Sequence, residues 1–144
     1  MTHRVTARSA EVFGGLVAPR VVPGGETSIS DLFRFLRERV RDRYDDAVDV
    51  STLFVPDAHG DYNAVIGMPH LSPADVPVGD VFVHVPSGVY AVFEPDGALQ
   101  DPTEDVWAQV DEATANGELF RAYKEDIEVV TKSGRVELYI SIVI

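Results

Sequence analysis

Val136-Glu137-Leu138-Tyr139-Ile140-Ser141-Ile142 alternates aliphatic and polar residues without a break. Side chains of a β-strand leave it on opposite faces with a period of two. Val136, Leu138, Ile140 and Ile142 therefore make one face, which needs an apolar cover. Glu137, Tyr139 and Ser141 make the other. The strand is expected over Arg135 to Ile142, entered through the turn Lys132-Ser133-Gly134. Leu119 to Lys124 reads as its neighbour, with Phe120 and Ala122 on one face and Arg121 and Tyr123 on the other.

The cover comes from helices. A helix is expected over 102–115: Asp101 caps it, Pro102 takes its first position, and Glu104 completes an acidic capping box. Asn116-Gly117 ends it. Val81 to Val85 and Val89 to Phe93 precede it as strands, joined through Pro86-Ser87-Gly88. The first half has the same order. Residues 4–8 and 12–22 are strands around a Gly14-Gly15 irregularity, followed by the break Pro23-Gly24-Gly25. A helix over 29–44 follows, with Ser28 as its N-cap and Asp31 three residues on. Ile29, Leu32, Phe33, Leu36 and Val40 make its apolar stripe, and Phe35 lies off that stripe. Val50 to Val55 and Tyr62 to Met68 are strands joined through Asp57-Ala58-His59-Gly60-Asp61. The proline-rich stretch 69–79 connects the halves, about 1–70 and 79–144. Two strands, a helix and two strands, repeated, predict an α+β fold: two β-α-β-β modules side by side, with both helices on one face of an antiparallel sheet.

A chain of 144 residues with 45% apolar content is one domain with a core of its own. It has no cysteine, which removes disulfides, thiolate chemistry and sulfur-bound zinc. Met1-Thr2-His3-Arg4 leads into mixed polar sequence, with no signal-peptide core after it. No run approaches the ~18 apolar residues of a membrane helix. The expected location is cytoplasmic. Net charge is −12 and unevenly placed. Residues 1–43 hold eight Lys/Arg against five Asp/Glu, and residues 44–144 hold four against nineteen. An acidic body of that kind repels phosphate backbones. Arg34, Arg37, Arg39, Arg41 and Arg43 sit on the first helix with Glu38 and Asp42 between them. They read as a solvated face, spread around the helix, without the stacking aromatics of a nucleic-acid surface. His3, His59, His70 and His84 show no metal-binding spacing, and no metal or cofactor is expected. His84, between Val83 and Val85, reads as a satisfied strand histidine.

Ser87-Gly88-Val89-Tyr90-Ala91-Val92-Phe93, then Asp101-Pro102 and a helix with Trp107, then Phe120-Arg121-Ala122-Tyr123 and Val136-Glu137-Leu138-Tyr139-Ile140, occur in that order. This ordered set resembles the GyrI-like small-molecule-binding domain, which is also the effector half of AraC-type and MerR-type regulators. The chain is expected to be a stand-alone form of it, with no DNA-reading segment. The resemblance implies a concave cleft on the sheet face opposite the helices, taking flat aromatic and often cationic compounds. It implies multidrug binding or transcription regulation as a setting, and in one branch hydrolysis of cyclopropane drugs.

Arg121, Tyr123, Glu137 and Tyr139 are expected to converge on that cleft, since alternation turns both pairs away from the aliphatic faces. Trp107 and Tyr90 are core and strand aromatics first and ligand contacts second. The family glutamate of the F-E-x-Y strand is replaced here by Arg121. An Arg121–Glu137 pair closes the site; an unpaired Arg121 instead receives a carboxylate through its planar fork. Glu118 and Glu125 are weak substitutes for the missing acid. Three uses stay open. The first is a small-molecule-binding protein with a small aromatic ligand. The second is a hydrolase with Glu137 as the general acid or base. The third is an acidic protein-interaction module with a protein partner or a second copy, in the manner of a gyrase inhibitor. No nucleic-acid or membrane partner is expected.

Overall fold

The computed structural model describes residues 3–24, 27–44 and 49–144, with 27–30 described by backbone alone. The elements run β1 (Arg4–Arg8), β2 (Glu11–Val21), α1 (Thr27–Asp42), β3 (Val50–Pro56), β4 (Tyr62–His70), β5 (Val81–Val85), β6 (Gly88–Phe93), α2 (Pro102–Ala115), β7 (Asp126–Val130) and β8 (Val136–Ser141). A single 3-10 turn, Pro73–Asp75, interrupts the connector between the halves.

All strands join one antiparallel sheet in the order β1-β6-β8-β7-β3-β4-β2-β5. The order is symmetric about the β7–β3 seam. β6-α2-β7-β8 forms one β-α-β-β module and β2-α1-β3-β4 the other. The leading strand of each half pairs across the divide: β1 edges β6, and β5 edges β2. That exchange and the β3–β7 pairing stitch the halves into one sheet.

Both helices cover one face. Val136, Leu138 and Ile140 of β8 are buried there with Phe54, Ile66, Phe93, Val106 and Val110, and Ile142 packs against them. The aliphatic face of the closing strand therefore sits where its alternation predicts. The opposite face carries a second apolar cluster of Phe13, Leu53, Val65, Val85, Tyr90 and Ile127, flanked by Tyr139.

α2 occupies the predicted range. Asp101 accepts from the Thr103 N–H at 2.8 Å and the Glu104 N–H at 3.4 Å. Gly117, at φ +72°, follows the last turn, and the Glu118 N–H returns to the Ala113 carbonyl. Asp101→Ala is expected to cost about 1 kcal/mol in urea denaturation, the usual price of a lost N-cap. Asp105, itself buried, locks the preceding loop to the helix. It accepts from the Gly97 N–H at 3.0 Å and the Gln109 side-chain amide at 2.8 Å. These bonds, the Gln109 bond first, hold its carboxyl below the usual range.

Three expectations need correction. α1 begins at Thr27, so Ser28 lies in its first turn rather than capping it, and the side chains of Ser28 and Ile29 lie outside the described residues. Within the stripe, Phe33 and Val40 are buried and Leu36 partly so, but Leu32 is exposed. The segment 119–124 is not a strand. It meets the end of β8 through the bridge Arg121–Ile142, the Ala122 N–H to the Ser141 carbonyl at 2.9 Å and the Lys124 N–H to the Ser141 hydroxyl at 3.3 Å, without forming a strand of its own. Tyr123 then takes φ +55°, a conformation that ends an extended run, and the chain turns into β7. β7 is the true neighbour of β8, with Ile127 opposite Tyr139. Among the described residues, no helix is long and apolar enough to cross a membrane.

Candidate ligand-binding site

Asp126-Ile127-Glu128-Val129-Val130 alternates like any half-buried strand. Ile127 joins the cluster on the open face, and Val129 packs against it. Glu128 points the other way, under the helices, and is 0% exposed. A carboxylate there loses its hydration and needs partners. Trp107 of α2 donates its Nε1–H to Glu128 Oε2 at 3.2 Å. Arg37 of α1 approaches Oε1 with Nη2 at 3.6 Å, an ion pair longer than a hydrogen bond. Glu128 Oε1 and Arg37 Nε make no hydrogen bond with the described residues. Burial pushes the Glu128 carboxyl up, and Arg37 and the indole N–H pull it back. Burial likewise lowers Arg37.

A hollow of about 540 Å³ opens beside this pair, between α1 and the start of α2. Phe33, Arg37, Leu99 and Pro102 are among its walls, with Val130 and Val136 from the sheet. Asp101 and Glu104 also line it. From Phe33 an aromatic row runs inward, with Phe54 at 6.2 Å from Phe33 and Trp107 edge-on to Phe54 at 5.3 Å. Trp107 is 5% exposed, so it is core, as its first reading holds, and it also carries the hydrogen bond to the buried acid.

The four residues expected to converge do not. Arg121 lies opposite Ile142, on the helix side of the sheet, and its Nη2 meets Asp126 Oδ2 at 2.8 Å and the Tyr62 hydroxyl at 3.5 Å. Asp126 is 0% exposed and also accepts from the Ser141 N–H and hydroxyl. Burial pushes its carboxyl up, while Arg121 and Ser141 pull it back. The Arg121 guanidinium stacks 4.7 Å from the exposed Tyr123 ring. A hollow of about 510 Å³ lies against Phe120, Arg121, Tyr123 and Val143.

Glu137 and Tyr139 sit on the opposite face. Glu137 pairs with Arg4 at 3.6 Å rather than with Arg121, and accepts from the Tyr139 hydroxyl at 3.4 Å. Tyr139 is edge-on to Tyr90 at 6.4 Å, with the Arg8 guanidinium 4.7 Å over its ring. Tyr90 is buried, and burial raises its hydroxyl pKa. On this face apolar side chains pack on one another, and Tyr90, Glu137 and Tyr139 lie outside the hollows beside Arg37, Tyr123 and His84. The third hollow, about 510 Å³, lies at the strand ends beside Glu11, His70 and His84. His84 is exposed and edge-on to Phe82, not buried among its valine neighbours.

Sequence reasoning missed Glu128 and Arg37. The arginines of α1 are not spread evenly. Arg34, Arg37 and Arg41 stand on one ridge by their three- and four-residue spacing. Arg37 reaches the buried acid, and Arg41 donates to the Val130 and Thr131 carbonyls at 3.4 and 3.2 Å. That spacing was the available signal. Glu128 left none, because its partners come from two other elements.

The family model described as Cass2, integron-associated effector binding protein, matches residues 25–142. Among curated protein sequences none matches. Similar folds occur in solved structures. An integron cassette protein from the mobile metagenome of Vibrio cholerae superposes with TM-score 0.74 at 20% identity, covering 98% of this chain and 95% of that one. SAV2435 bound to tetraphenylphosphonium superposes with TM-score 0.73 at 13% identity, covering 99% of this chain and 94% of that one.

Proposed function

The chain belongs to the integron-associated effector binding protein family, and from that premise we propose that it captures flat or propeller-shaped organic cations in the hollow between α1 and α2. The observation that carries the proposal is Glu128, a fully buried carboxylate behind that hollow with one oxygen lacking a hydrogen bond. Burying such a group disfavours folding, and an apolar residue would pack there at no such cost. A costly buried acid beside a cavity points to a task at the site. The hollow is within the usual range for small-molecule sites, and its walls mix apolar, aromatic and acidic groups with Arg34 and Arg37. A cation would gain from Glu128 and from the −12 net charge, and its aryl groups from Phe33 and the row behind it. The relative SAV2435, bound to tetraphenylphosphonium, supports this class of ligand. Trp107 keeps its place in the site as the donor that holds Glu128.

Trp107 is the sole tryptophan, so its fluorescence reports on the site directly. Titration with tetraphenylphosphonium is expected to change that emission. At one hundred times the dissociation constant it is expected to add about 2.7 kcal/mol of stability. A chain that responds to aromatic anions and ignores aromatic cations would overturn the cation reading.

Glu128→Gln separates binding from folding. The amide can still accept from the indole but offers no charge, so cation affinity is expected to fall by about tenfold or more. Stability should move the other way at neutral pH. In the native state the Glu128 pKa lies above its ordinary value, so the folded protein keeps a proton that the unfolded chain has lost. Stability therefore declines as pH rises from the ordinary carboxylate range through the raised value. Glu128→Gln is expected to remove its share of that decline, measured by urea denaturation from pH 4.5 to 8.

A further inference from the structure

We propose that Arg37 is a tethered internal cation that occupies the carboxylate of the ligand site, and that a cationic ligand binds by displacing it. The inference rests on the reading of the hollow and Glu128 given above. Arg37 lines the hollow and its side chain is 16% exposed, whereas Glu128 lies behind it at 1%. The guanidinium thus stands between the cavity and the acid.

The contact is an unfinished one. Arg37 Nη2 stops 3.6 Å from Glu128 Oε1, and neither that oxygen nor Arg37 Nε makes a hydrogen bond among the described residues. Well-made guanidinium–carboxylate pairs use two parallel hydrogen bonds at 2.7–2.9 Å. This pair forgoes both, so exchanging it for another cation sacrifices little. Arg34 and Arg41, one turn to either side on α1, also repel Arg37's charge.

Outward rotation of Arg37 has somewhere to go. Asp101 and Glu104 stand at the walls of the same hollow. The helix itself need not move, because other contacts hold it. Arg41 is bonded to the Val130 and Thr131 carbonyls, Arg43 meets Asp80 at 2.6 Å, and Phe33 and Val40 are in the core. The exchange also sets specificity. A small hydrated cation brings no apolar surface to offset the loss of the internal pair. A cation carrying aryl groups fills the hollow as it enters, and so can displace the arginine.

The test compares tetraphenylphosphonium binding to the wild-type chain, Arg37→Gln and Arg37→Lys, by calorimetry and Trp107 fluorescence. Removing the internal competitor is expected to tighten binding about tenfold in Arg37→Gln at a pH high enough to keep Glu128 ionised without its arginine, because the carboxylate is then free. Arg37→Lys keeps a cation on the helix and is expected to stay within about threefold of wild type. Should Arg37→Gln fold poorly, Arg37→Met keeps the apolar stem and makes the same comparison. In the wild-type chain, the Arg37 Nε–H resonance is expected to shift and exchange faster with solvent once the ligand is bound. Equal or weaker binding by Arg37→Gln, with wild-type binding intact, overturns the displacement while leaving the site in place. Failure of both chains to bind the cation removes the site reading and this inference together.

Discussion

Gly67→Ala is expected to cost more than about 3 kcal/mol, lowering the melting temperature by about 10 °C, although it adds one methyl group. Gly67 of β4 lies opposite Gly15 of β2, and the two backbones come close enough there to leave no room for a side chain. A Cβ on Gly67 would stand 1.9 Å from the Gly14 carbonyl oxygen, and a Cβ on Gly15 would stand 2.0 Å from the Ile66 carbonyl oxygen. Those obstacles are main chain, so no rotamer change relieves them. The strands must part, and β2 is held on both edges, by β4 and β5. Strain at this point therefore spreads through half the sheet. Gly88→Ala is the control. Its added carbon would meet only the Tyr90 ring, at an ordinary 3.7 Å, and its effect is expected to stay within about 0.5 kcal/mol. Parallel thermal melts decide the matter; equal losses for the two variants would show that the approach of β2 and β4 is not a constraint.

The Gly14-Gly15 doublet was visible in the sequence, but β2 runs through it in register and shifts only between Ala18 and Val21; Gly67 was not visible, because its reason lies on the partner strand. The same division runs through the molecule. Features written locally were legible: the two-residue alternation of β8, the cap and stop of α2 and the doubled order of elements. The strand exchange that places β1 beside β6 and β5 beside β2 has no local signature. β7 was hidden for a different reason. Asp126 and Glu128 break its apolar character, although Ile127, Val129 and Val130 are strand formers. Polarity normally marks an exposed or irregular segment. Here both acids face inward, and each has an arginine within salt-bridge distance, Arg121 for Asp126 and Arg37 for Glu128. The misplaced strand then misdirected the site. Once Arg121 and Tyr123 are set on the helix side, they cannot share a patch with Glu137 and Tyr139. The hollow with a buried acid behind it lies between the helices, away from Glu137 and Tyr139.

Asp126→Ala is expected to cost about 3–5 kcal/mol, because it strands a mostly buried arginine. Asp126 satisfies three donors at once: Arg121 Nη2 at 2.8 Å, the Ser141 N–H at 2.9 Å and the Ser141 hydroxyl at 3.1 Å. Without it the Arg121 side chain, 12% exposed, keeps only the Tyr62 hydroxyl at 3.5 Å and the face of Tyr123. Asp126→Asn retains an acceptor for Ser141 and is expected to lose less. The joint replacement Arg121→Met with Asp126→Leu removes both charges and keeps the volume. It is expected to recover most of the stability, as paired charges exchanged for apolar groups commonly do. That double variant also decides what Arg121 is for. An arginine that only pins the 119–125 segment to β7 leaves tetraphenylphosphonium binding unchanged when it is replaced in this way. A double variant that folds but loses the ligand would return Arg121 to the binding site, and would move that site from the hollow beside Arg37 to the one beside Phe120 and Tyr123.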